Sequence, residues 1–483
     1  MKDVIIIGAG VIGTNIAREL SYYDISIMVI DKNTDVCEET SKANSGIVHS
    51  GYDAQPGSLK AKYNVIGNQM MKSICEDLDV PFIQNGSLII GFTKKDEEEL
   101  EVLKAQGVLN GVKGLKILNK DEVLKKEPKL NPEVYSGLYA PTGGVVDPFQ
   151  LTIASAEVAE MNSAIFQMET IVQSVEKIGD FFVVHTDKGD FTSKILVNAA
   201  GCYSDHINNF LSENKQEIRP RKGEYCLFDK QIGTLVTSTI FQLPTSMGKG
   251  VLVTPTAEGN LLVGPSSFYV DDKEDKETTL SGIKYVLETA KLSVPSIPLN
   301  FIITGFAGLR ASEIGKDFII GEQSDVPNFY NASGIESPGL TAAPAIAKDL
   351  ADMIQEKNQF LKRKNAVRKR KNIIRFEPAT LHQKKRLIAH DKEYGKIVCR
   401  CEMVTLSEIK QAIHRPVGAK TVDGIKRRTR AGSGRCQGGF CAPKVLEILS
   451  EELKLTPFEI AKSSKKSTFL LGLDKELKGG SFE

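Results

Sequence analysis

The segment Asp3-Val4-Ile5-Ile6-Ile7-Gly8-Ala9-Gly10-Val11-Ile12-Gly13 decides the fold of this chain. An apolar run of strand length ends at Gly8, and the pattern G-x-G-x-x-G carries it into a helix read over residues 11–23. A second apolar run, Ile25–Ile30, ends at Asp31. Each glycine has a separate task. Gly8 permits the tight turn, Gly10 lets backbone approach a pyrophosphate, and Gly13 lets the helix pack on the strand. The helix start offers unpaired N–H groups to phosphate, and Asp31 stands where a ribose hydroxyl is accepted. The pattern predicts a βαβ unit that binds a dinucleotide.

Outward from this unit, 483 residues with 41% hydrophobic and 25% charged content are enough for two or three folding units of a soluble protein. The net charge of +1 supplies no global field for nucleic acid or an anionic membrane, and the chain contains no other sign of a nucleic-acid groove. No apolar run reaches the ~20 residues of a membrane helix. The expectation is a cytoplasmic protein with at most peripheral membrane contact. Short strands such as Ser87–Phe92, a charged helix near Lys94–Ala105 and a turn at residues 141–144 read as an insertion. Strands return at Phe181–Thr186 and Ser193–Gly201. Alternating runs through residues 251–267, with a turn at Gly259-Asn260, read as a second sheet. A strand pair after Phe318 leads to a long helix beyond Pro338 that closes the nucleotide domain. The basic stretch of residues 358–395 reads as a solvated linker with helical character.

The segments Asn44-Ser45-Gly46-Ile47-Val48-His49-Ser50-Gly51, Val197-Asn198-Ala199-Ala200-Gly201 and Ser337-Pro338-Gly339-Leu340-Thr341 mark returns to the nucleotide domain. Through them the chain resembles the D-amino-acid-oxidase-like flavoprotein superfamily over about residues 1–355. The resemblance implies FAD, held by Gly8, Gly10, Gly13, Asp31, Ser45, Gly46, Asn198, Gly201, Gly339, Leu340 and Thr341. It also implies a long last helix whose N-terminus faces the flavin. The expected architecture is α/β. A Rossmann-like FAD-binding domain (residues 1–80, 145–225 and 305–357) carries an inserted antiparallel-sheet substrate domain (81–144 and 226–304). The linker at 358–395, a small α-rich module at 396–460 and a tail at 461–483 complete it.

Eight cysteines occur, and four of them, Cys399, Cys401, Cys436 and Cys441, crowd into the C-terminal module. In a chain of this size such a cluster binds metal more readily than it forms disulfides. Four thiolates suit an iron–sulfur cluster or a structural zinc, and the C-x-C spacing counts against zinc. Cys37, Cys75, Cys202 and Cys226 have no such spacing and read as small buried apolar residues. The segments around 398–413 and 427–441 resemble the bacterioferritin-associated-ferredoxin-like [2Fe-2S] domain. The fusion itself is similar to the large-subunit family of anaerobic glycerol-3-phosphate dehydrogenases. That likeness implies a cluster on the four cysteines and a companion electron-transfer subunit.

Flavin-dependent oxidation of an alcohol needs a base for the hydroxyl proton and a cation for an anionic substrate. His49, in its glycine-flanked segment, is the candidate base, and a hydrogen bond to cofactor or backbone is its other reading. Arg310, in Gly308-Leu309-Arg310-Ala311, resembles the family's substrate arginine, whose planar fork binds phosphate or carboxylate. Lys222, Glu224 and Tyr225 are weaker pocket candidates. The expected substrate is sn-glycerol 3-phosphate, oxidised to dihydroxyacetone phosphate with its electrons passed through the cluster to a partner, and L-2-hydroxyglutarate is the alternative. Asp147-Pro148-Phe149 and the C-terminal module resemble the glycerol-3-phosphate enzymes, whereas the segments around His49, Lys222 and Arg310 equally resemble L-2-hydroxyglutarate oxidases and dehydrogenases. The residues 337–344 lack the lysine and arginine typical of the former family there. A non-catalytic electron-transfer subunit is the alternative from another class.

Overall fold

The computed structural model describes residues 1–243 and 250–472. Residues 244–249 of the expected substrate domain, and the expected tail beyond residue 472, lie outside the described residues. The chain forms two units. One comprises Met1–Lys32 and Cys37–Arg370, the other Asn33–Val36 and the chain from Lys371 onward.

In the first unit the strand Lys2–Ile7 lies parallel to Ile27–Ile30 on one side and to Gly189–Asn198 on the other, with Ile5 opposite Met28 and Leu196. The run is apolar without alternation because both faces are covered, as parallel strands require. Ile165–Gln167 extends the sheet beyond Ile27–Ile30, and Val326–Ser333 adds to Gly189–Asn198. The helices Val11–Leu20, Leu59–Leu78, Pro148–Met161 and Gly339–Asn358 share a core built from Val11, Met71, Leu78, Leu151, Val158 and Ala343. Gly67 permits the close packing of two of these helices, since a Cβ there would lie 2.0 Å from the Thr341 carbonyl oxygen.

A second sheet of nine strands contains Ser87–Gly91, Ser136–Ala140, Ile218–Phe228, Leu261–Gly264 and Ile302–Glu313. It is antiparallel apart from the parallel pairing of Ser87–Gly91 with Thr239–Gln242. The helix Leu280–Ser293 covers its core of Leu88, Ile90, Phe228, Ile240, Val253, Val263 and Val286. Sequence-based boundaries at 225/226 and 304/305 cut two strands that the structure keeps whole. Ile218–Phe228 and Ile302–Glu313 pair along their length, from Ile218 opposite Glu313 to Phe228 opposite Ile302.

The basic stretch also differs from its reading as a solvated helix. Residues 363–379 contain neither helix nor strand. Their polar groups are taken up elsewhere: Arg363 N–H donates to the Tyr22 carbonyl, Val367 N–H to Asn162 Oδ1, and Arg370 N–H to the Asp77 carbonyl. Arg370 is itself buried, paired with Glu157 at 3.2 Å and hydrogen bonded to Gln150. Beyond them the stretch holds the α-helix Leu381–His390 and a 3-10 turn, Lys392–Gly395.

The second unit packs helices Leu406–His414, Val422–Thr429 and Ala442–Leu453 around Ile409, Ile413, Ile425, Val445 and Leu449. A two-stranded ribbon, Ile397–Cys399 with Val404–Thr405, precedes them. Asp35 belongs to this unit, and its carboxylate is clamped by Arg427 and Arg428 at 2.8 and 2.6 Å.

Candidate active site and cysteine centre

The glycine turn forms a cradle of backbone that side chains would fill. A Cβ on Gly8, where φ is +110°, would lie 2.3 Å from the Ala199 carbonyl oxygen, and one on Gly13 would lie 1.9 Å from that of Gly8. The helix beyond has Gly10 as its N-cap, without a side-chain cap and without an acid in its first turn. Val11 N–H donates to Ser41 Oγ at 2.8 Å, and the next amides, of Ile12 and Gly13, are suited to phosphate. Asp31 Oδ2 accepts the Ala9 N–H at 2.7 Å, which ties the acid at the end of the second strand to the turn itself. The donor set fits a dinucleotide.

The other expected cofactor residues surround this cradle. Gly46 has φ +67° and its carbonyl accepts the Val146 N–H, with Ser45 partly buried beside it. Gly201 has φ +57° and opens a short 3-10 turn. Asn198 is buried and donates to Ser204 O and Asn331 Oδ1, so its side chain joins strands of the sheet. Gly339 and Leu340 start the last helix, whose N-cap Pro338 provides no side-chain cap. Thr341 Oγ1 accepts the backbone N–H of His49 at 2.9 Å.

His49 and Arg310 belong to one connected set of polar groups. His49 Nε2 lies 3.3 Å from Ser337 Oγ, and its ring packs 5.9 Å from that of Phe241. Beside Ser337, Glu336 binds Lys60 Nζ at 2.8 Å and Arg221 Nη2 at 2.7 Å. Burial raises the Glu336 carboxyl, but Arg221 and Lys60 outweigh it and hold the group below the usual carboxylate range. Arg221 stands directly opposite Arg310 in the sheet. Arg310 donates Nε to Arg221 O and Nη2 to Lys222 O and Ser266 O, at 3.2, 3.3 and 2.7 Å. Burial lowers its pKa, and among the described residues it forms no ion pair. Two like charges opposite one another on paired strands are unfavourable. Glu336 balances Arg221, which leaves a guanidinium fixed by neutral carbonyls, with Nη1 able to take an anion.

Lys222, Glu224 and Tyr225 are engaged elsewhere. Lys222 pairs with Asp275 at 2.7 Å. The Glu224 carboxylate accepts Thr279 Oγ1 at 3.0 Å and Ser266 Oγ at 3.1 Å, anchoring the start of the Leu280–Ser293 helix. Tyr225 is buried and stacks on Phe306, ring centres 4.8 Å apart. Sequence reasoning did not single out Lys60, Arg221, Glu336 or Ser337 as site residues. The signal for Glu336 and Ser337 was their position just before the last helix.

In the second unit the four cysteines stand as two pairs. Cys401 and Cys436 have sulfurs 3.5 Å apart, and Cys399 shares a hydrogen bond with Cys441 that brings its thiol down to about 6. Backbone N–H groups converge on the sulfurs, from Gly432 and Glu402 on Cys399 and from Gly438 and Phe440 on Cys436. Such N–H donation stabilises bound thiolates and tunes cluster potential. Among the described residues no three His, Cys, Asp or Glu side chains gather as around a single ion. Two thiols and two is the division that a two-iron cluster asks of its ligands. Cys37, Cys75, Cys202 and Cys226 are all buried, as their spacing predicted.

Comparison with known proteins accords with both centres. The family model for FAD dependent oxidoreductases matches residues 3–353, and that for the BFD-like [2Fe-2S] binding domain matches residues 397–451. A glycerol 3-phosphate dehydrogenase of Caloramator mitchellensis is 47% identical over 476 residues, covering 98% of this chain and 99% of the relative. The dithionite-reduced L-alpha-glycerophosphate oxidase of Mycoplasma pneumoniae, solved with FAD bound, has a TM-score of 0.73 at 33% identity. That match covers 77% of this chain and 98% of the oxidase. The mitochondrial L-2-hydroxyglutarate dehydrogenase of Arabidopsis thaliana is 26% identical over 411 residues, 74% of this chain and 83% of that protein. The chain therefore belongs to the FAD dependent oxidoreductase family, with FAD as its flavin and a C-terminal BFD-like [2Fe-2S] binding domain as its second redox centre.

Proposed function

We propose that the chain oxidises sn-glycerol 3-phosphate to dihydroxyacetone phosphate and passes the electrons to a companion one-electron protein. The observation that carries the reading is Arg310, a half-buried guanidinium held by three backbone carbonyls and forming no ion pair among the described residues. A half-buried guanidinium whose contacts are neutral carbonyls is a ready partner for an anionic ligand. Lys60 and Arg221, which share Glu336, keep the surroundings positive and suit a phosphate dianion. The relative named for glycerol 3-phosphate, matched over nearly the whole of both chains, supports the same substrate.

On this reading the Arg310 Nη1 donors bind the phosphate and orient the alcohol. His49 takes the proton of the C2 hydroxyl, its Nε2 exchanging the Ser337 hydroxyl for that of the substrate. FAD, held in the cradle at Gly8, Gly10, Gly13 and Asp31, supplies the two-electron acceptor for the C2 hydride. Cys399, Cys401, Cys436 and Cys441 hold the cluster. Ser45, Gly46, Gly339, Leu340 and Thr341 belong to the flavin's surroundings. Eight cysteines without a disulfide favour a reducing compartment, so we place the enzyme in the cytoplasm. No helix among the described residues is long and apolar enough to cross a membrane.

Anaerobic titration tests the substrate. Glycerol 3-phosphate should bleach the flavin at concentrations where glycerol and L-2-hydroxyglutarate leave it oxidised. Bleaching by L-2-hydroxyglutarate instead would transfer the assignment to a 2-hydroxy acid, and bleaching by neither would favour a non-catalytic electron carrier.

A further inference from the structure

The cysteine centre is asymmetric. Cys399 and Cys441 are 1% and 3% exposed, whereas Cys401 is exposed and Cys436 partly so. The residues around the open pair form a distinctive surface. Phe440 is 89% exposed and Met403 37%. Arg400, between two of the cysteines, is exposed and forms no ion pair among the described residues, and Arg435 is exposed directly before Cys436. Gly434 brings the two stretches together, since a Cβ there would lie 2.4 Å from the Cys401 Cβ. The one carboxylate within residues 399–403 and 434–441, Glu402, is buried and bound to Arg430 at 2.8 Å. The exposed charges of these two stretches are therefore both positive.

We infer that this edge is the docking surface for an acidic one-electron carrier protein, with Phe440 and Met403 as its apolar centre and Arg400 and Arg435 as its charged rim. Aromatic residues, methionine and arginine are the side chains that protein interfaces enrich, and here they flank the open cysteine pair in sequence. An acidic partner is selected because the exposed charges within these two stretches, Arg400 and Arg435, are both guanidinium groups, which steer approach and fix orientation. The exposed cysteine pair lies inside the patch, so a carrier seated there meets the open side of the ligand set. Each encounter reduces one carrier by one electron, and two encounters account for the two electrons released per substrate oxidised. The inference rests on the proposed reading that electrons leave through the cluster.

The test uses the full-length holoprotein, with an acidic flavodoxin and an acidic plant-type ferredoxin as probes. A basic cytochrome c and phosphatidylglycerol vesicles serve as contrasts. Binding is measured by thermophoresis at low and high salt, beside iron and sulfide content. Wild type should bind the acidic carriers saturably and lose affinity with salt. Arg400→Glu, Arg435→Glu and Phe440→Ser should each weaken binding by about tenfold or more, with iron content unchanged and Phe440→Tyr restoring it. Equal binding by wild type and variants overturns the proposal, as does the absence of saturable binding to either acidic probe or a preference for cytochrome c or vesicles. Substrate-driven flavin bleaching in the same samples reports separately on the proposed catalytic function.

Discussion

Replacing Arg310 by lysine keeps a positive charge and removes the fork that holds it. In the wild type Nε and Nη2 are occupied by the carbonyls of Arg221, Lys222 and Ser266, the shortest contact being 2.7 Å to Ser266. On the proposed reading these contacts leave Nη1 and its two donors for the substrate anion. A lysine nitrogen can keep the Ser266 contact or reach the anion, but it has no second nitrogen with which to do both in fixed geometry. Losing one of two charge-assisted hydrogen bonds removes about 1.5–3 kcal/mol. Spread over the transition state, that is a fall in kcat/KM of roughly ten- to 150-fold. The assay is anaerobic stopped-flow bleaching of the flavin by glycerol 3-phosphate and, separately, by glycerol at high concentration. The neutral alcohol has no anion to lose, so its rate should change by less than about threefold. An equal fall for both alcohols would mean that the substitution disturbs the flavin or the fold, and no fall for either would remove Arg310 from the site.

Gly13→Val should yield protein with little bound flavin, read from the flavin-to-protein absorbance ratio, because its Cβ would lie 1.9 Å from the Gly8 carbonyl oxygen. Glu336→Gln should lower stability at pH 7 by about 1–3 kcal/mol, since it leaves Arg221 and Lys60 with a neutral partner. The pKa of Glu336 is depressed in the folded protein, so the stabilisation is present above the ordinary carboxylate value and disappears as pH falls below it. Melting curves of wild type and variant should accordingly converge between pH 5 and lower values, and a gap that widens on acidification would contradict the pairing. Cys401→Ser should lose the visible absorbance of the cluster and its iron and sulfide, yet keep substrate-driven bleaching of the flavin. Stoichiometric zinc in the wild type would refute the two-iron assignment.

Much of the nucleotide fold could be read in advance because its determinants are local. Gly8, Gly10, Gly13 and Asp31 lie within one βαβ unit, and the period of the apolar residues marks its strands. The cysteine centre was equally plain, since its four cysteines fall in two short stretches. The anion site was only half legible. Arg310 stood out by its neighbours, but its lack of a counter-ion depends on Glu336 serving Arg221, 115 residues away, and Lys60, 276 residues away. The same blindness to distant partners made Lys222 and Glu224 attractive. Their consumption by Asp275 and Thr279 is invisible without the chain reversal that brings those segments back. The basic stretch was misread because composition reports charge and cannot show that Arg370 finds a buried carboxylate in Glu157.

The interleaving of the two sheets sets the order in which the nascent chain becomes competent to hold its flavin. The fingerprint strand Lys2–Ile7 can meet Ile27–Ile30 early, but its other edge waits for Gly189–Asn198, and that strand waits in turn for Val326–Ser333. At a ribosomal pace of about 5–20 residues per second, the first strand spends roughly 10–40 s with an open apolar edge before its second neighbour is synthesised. During that time the phosphate cradle lacks its wall at Ala199, and the last helix, Gly339–Asn358, is later still. The flavin is thus a ligand only of a chain synthesised through Gly339–Asn358, and until Gly189–Asn198 arrives the open edge of Lys2–Ile7 is the one to keep from pairing with other chains.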